Sequence, residues 1–185
     1  MVAIASLPLR AYVQPLDSES IREAYFLGQR RDEVARTFLS HYVQSFPIPR
    51  TGPHIGRVEI LTPYYQVVLG SEEGTLGGTV IDAEQEYHSH PALFLVHVWI
   101  YSTPTFTPGA KWDEFWEELI VRVGQRKPLR PLKSSYIKHG FRGPGGTEFE
   151  LQFDAAQITS APLTIDVSGP GAEPVAAKFD LSKLK

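Results

Sequence analysis

The run Leu93-Phe94-Leu95-Val96-His97-Val98-Trp99-Ile100-Tyr101 is nearly continuous apolar sequence, rich in β-branched and aromatic residues. Side chains of that kind fit a pleated surface, and the run is well short of the ~20 residues that carry a helix across a bilayer. It predicts a central strand covered on both faces, around which the rest of the chain must pack. Further strand signals follow it. Leu119 to Val123 reads as another strand, and the alternation of Phe149, Leu151 and Phe153 with Glu148, Glu150 and Gln152 has the two-residue period of a β-strand. Leu163, Ile165 and Val167 repeat the pattern, and Ser168-Gly169-Pro170-Gly171 supplies a turn before a last strand from Val175 to Phe179. Lys127 to Gly146 reads as a loop.

The first third of the chain carries a different period. Ser20 and Glu23 have capping-box spacing ahead of Ile21, Ala24 and Tyr25, with Gly28 as the expected stop. From Asp32, the residues Val34, Ala35, Phe38, Leu39, Tyr42, Val43 and Phe46 recur at helical spacing until Pro47 and Pro49. Val58 and Ile60 alternate with Arg57 and Glu59 as in a half-buried strand, and Thr62-Pro63 reads as an N-cap and first helical residue leading into a short helix. Residues 79–90 fit a helix with an apolar face, although their alternating acids also fit a strand. The expected fold class is therefore α+β: N-terminal helices packed on a mainly antiparallel β-sheet or sandwich. One domain spans 1–185, with 1–16 extended or frayed, 17–47 helical and 92–185 mainly β.

Composition narrows the functions open to such a fold. A chain of 185 residues, 42% hydrophobic and 21% charged, buries enough surface to fold without staples. The complete lack of cysteine excludes disulfides, thiol nucleophiles, iron–sulfur clusters and thiolate zinc sites. A net charge of -3 gives no general attraction to phosphate backbones, so nucleic acid is not an expected partner. No apolar run reaches membrane-spanning length. Ala3-Ile4-Ala5 has the small-x-small pattern that precedes signal cleavage, which leans the expectation towards a periplasmic or secreted bacterial protein over a cytoplasmic one.

Three groups of residues are candidates for chemistry. His88, His90 and His97, with Glu84 or Glu86, could supply metal ligands, but in a helix side chains two apart point roughly 200° away from each other, and a histidine in an apolar strand is more often a hydrogen-bonded core residue. A metal site is not favoured on this spacing, and no cofactor is expected. Trp112 and Trp116, with Phe115, could form an aromatic platform or bury one helical stripe, while Asp113, Glu114, Glu117 and Glu118 read as a solvated acidic helix face. The most unusual feature is a block of Arg126, Lys127, Arg130, Lys133, Lys138 and Arg142 uninterrupted by any acid, a candidate surface for an anionic polymer or an acidic protein. No nucleophile elbow or His-Glu-x-x-His motif occurs, and Gly143, Gly145 and Gly146 lack the strand-to-helix context of a phosphate loop. The expectation is a non-enzymatic binding or structural module. The alternatives are a metal-dependent hydrolase using the His88, His90 and His97 region, and a subunit of a larger assembly.

Overall fold

A computed structural model describes residues 12, 14–101, 103, 118–124, 128–139, 146–159 and 162–185, with the backbone alone at 128, 136–139 and 146. Among the described residues, four helices precede most of the strands, and the strands form two antiparallel sheets, so the fold is α+β. The larger sheet has the order β1-β2-β3-β7-β6, built from β1 (Val43–Ser45), β2 (His54–Leu61), β3 (Leu93–Tyr101), β6 (Lys133–His139) and β7 (Gly146–Asp154). The smaller has the order β5-β4-β8-β9, from β4 (Ile120–Gly124), β5 (Pro128–Leu129), β8 (Pro162–Ser168) and β9 (Val175–Asp180).

The apolar run does form the middle strand of the larger sheet. Only one of its faces is fully covered, however: Phe94, Val96, Val98 and Ile100 are all sealed from solvent, while Leu95, His97, Trp99 and Tyr101 are half-buried. The sealed face joins Val58, Ile60 and Leu151 to Val123, Leu163, Ile165 and Phe179 of the smaller sheet in one apolar core. On β2 the expected half-burial is exceeded, since Glu59 is buried as well as Val58 and Ile60. A register shift between Ile55 and Arg57 centres on Gly56, where an added Cβ would stand 2.4 Å from the Tyr101 ring.

Helix α1 (Ser18–Arg30) is capped by Asp17, whose carboxylate accepts from Ser20 N–H at 2.8 Å, instead of by the expected Ser20 and Glu23 pair. It also runs through Gly28. That glycine has a packing role, because a Cβ there would lie 2.2 Å from the Val68 carbonyl oxygen of α3 (Pro63–Glu73), and the turn out of the helix is made at Arg31 with φ +50°. Helix α2 (Glu33–Ser40) is shorter than its spacing predicts. Tyr42 leaves the helix to bury its ring, donating its hydroxyl to the Lys185 carbonyl at 3.2 Å and accepting from the Lys185 N–H at 3.1 Å, and Val43–Ser45 pairs with β2. Thr62 and Pro63 start α3 as expected, and α4 (Val80–Ser89) is a helix with a capping box of Thr79 and Asp82.

The expected loop at 127–146 contains β5 and β6, and β6 pairs along its whole length with β7. Within the segment expected to be extended or frayed, Tyr12 and Leu16 are buried, and the Tyr12 hydroxyl donates to Ala155 O at 3.1 Å. No helix among the described residues is long and apolar enough to cross a membrane.

Candidate functional site

The three histidines occupy separate surroundings. His88 lies near the end of α4 with its ring edge-on to Tyr87, and His90 follows the helix, its Nδ1 2.8 Å from Ser89 Oγ and 3.4 Å from Glu86 Oε1. Glu86 and His90 line a cleft of about 200 Å³, whereas Glu84 accepts a hydrogen bond from Ser18 Oγ and so ties α4 to α1. His97 lies on β3. Among the described residues, no group of three or more His, Asp or Glu side chains is placed to hold a metal ion.

His97 instead joins a polar network on the half-buried face of the larger sheet. The antiparallel register sets it between Glu59 of β2 and Glu150 of β7, with Glu148 two residues along. Its Nδ1 is 2.5 Å from Glu148 Oε1 and its Nε2 is 3.1 Å from Glu150 Oε2. An imidazole donates from both nitrogens only when it carries both protons, so the arrangement is met in full by the cationic ring between two carboxylates. With both nitrogens engaged by carboxylates, the ring leaves neither free for the substrate contact that a hydrolytic general base makes. On the next strand, Arg57 pairs with Glu59 at 2.6 Å and lies over the Trp99 ring at 6.0 Å, and Tyr65 donates its hydroxyl to Glu59 at 2.7 Å. Burial first, and then the Glu59 charge, push the Tyr65 phenol far above its ordinary value, which keeps it a donor. Each carboxylate of the network thus meets a nitrogen or a hydroxyl group of a neighbouring side chain.

The basic block is different in kind. Arg126, Lys127 and Arg142 lie outside the described residues, as do Trp112 and Trp116 with Asp113, Glu114, Phe115 and Glu117. Arg130 and Lys133 are exposed, and among the described residues neither has an acidic partner. Lys133 begins β6, the last strand in the order of the larger sheet, and Lys138 stands opposite Thr147 in the β6–β7 register. An edge strand turns every second N–H and C=O outward, away from its single neighbour. Between Arg130 and Lys133, Leu132 is 63% exposed and lines a cleft of about 420 Å³ with Gln14, Pro15, Pro91, Leu93 and Ala156. The cleft lies where β3 starts and β7 ends, with Asp154 at its margin turned to the Ala156 N–H at 2.9 Å.

Sequence spacing points to His97 and to the basic block, but it misses the partners of the first and the setting of the second. Glu148 and Glu150 look like the solvent side of an alternating strand until the β3–β7 register is known. His54 carries no spacing signal in the sequence. It is buried, its ring lies 5.4 Å from that of Tyr101, and it lines a cleft of about 270 Å³ with Phe46, Pro47 and Pro174. Its Nδ1 has no hydrogen-bond partner among the described residues, and burial pushes its imidazole below the ordinary value. No known protein family and no curated protein matches this chain, so the reading of its surface rests on the residues themselves.

Proposed function

We propose that this chain is a non-enzymatic binding module that takes an anionic partner along the β6 margin of the larger sheet. The observation that carries the reading is the pair of exposed cations, Arg130 and Lys133, unpartnered among the described residues and set in a stretch from Arg126 to Arg142 that contains no acid. Cations held away from carboxylates keep their field for an incoming ligand. On a molecule of net charge -3 they also mark one direction of approach. The charged network around His97 supports the same division, because its charges are spent on one another.

Fluorescence anisotropy with labelled polyglutamate tests the proposal. The protein is expected to bind at low ionic strength and to release the polymer as salt shortens the screening length to ~8 Å and below. The Arg130→Glu, Lys133→Glu double variant is expected to lose that binding while keeping the thermal melt of the unmodified protein. Absence of binding at low salt, or binding indifferent to salt and to the double substitution, refutes it.

A further inference from the structure

Resting on that reading, we infer that the anionic partner is a polypeptide, and that an extended acidic segment of it docks as an added strand on β6 with one apolar side chain in the Leu132 cleft. Two features of the same margin select this occupant. β6 (Lys133–His139) is a seven-residue strand with a single neighbour among the described residues, so it offers a row of backbone donors and acceptors at the spacing a second strand needs. Its lead-in places an exposed leucine beside a cleft whose other walls are largely apolar, formed by Pro15, Pro91, Leu93 and Ala156. A carbohydrate polyanion has no group that uses either feature. A peptide uses both, through its main chain and one side chain.

Charge selects an acidic partner over a second copy of this chain. The segment from Pro128 to His139 carries Arg130, Lys133 and Lys138 and no acid, so pairing β6 with another β6 brings cations against cations. A strand with glutamate or aspartate at alternate positions sets its acids on one face, where one of them meets Lys133 with opposite charge. Its intervening residues then project to the other face, and one of them near the Leu132 end is placed to enter the cleft.

The probe is a blocked, fluorescein-labelled peptide about as long as β6, alternating glutamate with valine and carrying one leucine near an end. A second peptide of identical sequence is N-methylated at alternate residues, which removes the strand hydrogen bonds and leaves the charge unchanged. The expected result is binding of the first peptide, its loss on N-methylation, and slower hydrogen exchange of β6 amides in the complex. Lys133→Glu is expected to weaken the peptide about fivefold, the scale of one exposed ion pair. Leu132→Asp is expected to weaken the peptide more than it weakens polyglutamate. Equal binding of the N-methylated peptide, or equal loss of peptide and polyglutamate in Leu132→Asp, overturns strand docking and leaves the anion-binding reading standing. Failure of every anionic probe at low salt overturns both. Sedimentation as a dimer whose β6 amides are already protected without peptide also overturns it, because a second copy then holds the edge.

Discussion

Replacing Gly28 by alanine separates two accounts of this residue. If Gly28 were an ordinary position inside α1, alanine would be tolerated or even helpful, since alanine in a helix interior is favoured over glycine by ~1 kcal/mol. Gly28 is instead the point at which α1 touches α3. The new Cβ would lie 2.2 Å from Val68 O and 3.0 Å from Ser71 Cβ, so the helices must move apart by about 1 Å to reach ordinary contact. That movement pulls on the bonds around Ser71, whose hydroxyl donates to Tyr25 O at 2.7 Å and whose carbonyl accepts from Gln29 Nε2 at 2.8 Å. Overpacking of a tight contact costs ~1–3 kcal/mol, and weakening a buried hydrogen bond adds ~1 kcal/mol. After the helix-propensity gain, a net loss of ~2 kcal/mol remains, or a fall of ~4–8 °C in Tm for a chain of this size. Gly78→Ala is the control, because nothing lies within 4 Å of its added Cβ. Urea denaturation followed by far-ultraviolet circular dichroism measures both variants. A Gly28→Ala protein as stable as Gly78→Ala would refute the close-approach argument.

His97→Ala leaves Glu148 and Glu150 facing each other without the imidazole that separates and hydrogen-bonds them, and a loss of ~2–3 kcal/mol is expected in urea melts, much of it recovered when both acids are also changed to glutamine. His54 titrates below its ordinary value, so the folded form resists its protonation. Stability is full above the unfolded value of ~6.5 and falls as pH drops through the depressed folded value, and His54→Phe, which keeps the stack on Tyr101, is expected to make the acid loss shallower in melts taken across that range. At the alkaline end, burial pushes the Tyr42 phenol up to about 12, and Tyr12, Tyr64 and Tyr65 are raised by the same cause. Their contribution is fully present below the unfolded value of ~10 and is lost as pH rises towards the folded value, so tyrosinate absorbance should appear together with unfolding in that window and not ahead of it.

Much of the architecture is legible in local sequence. Thr62-Pro63 reports the start of α3, and the alternations in β7, β8 and β9 are set by the residues that fill the core. The failures have a common cause, in that the deciding contact comes from elsewhere in the chain. Spacing carries α2 on to Phe46, but Tyr42 is held by Lys185 and the next residues by β2. Lys133–His139 is polar and basic with no apolar alternation, and it becomes a strand because β7 supplies the hydrogen-bond partners. The candidate site follows the same rule. His97 stands out in an apolar run, but Glu150 lies 53 residues away along the chain and is paired with it only by register.

The grip of Lys185 on the helical layer also bears on the order of events during folding. Its carbonyl accepts from Thr62 Oγ1 at 2.7 Å, its ammonium pairs with Glu23 at 2.5 Å, and its link to Tyr42 spans 143 residues, as does the bond from Tyr12 to Ala155. Closures over such distances are entropically late, and they slow folding relative to a chain held by local contacts. During synthesis, α1, α2 and α3 are made well before Lys185, whose contacts with Tyr42, Thr62 and Glu23 complete their packing. The helical layer is made first, and its packing closes only once Lys185 joins it.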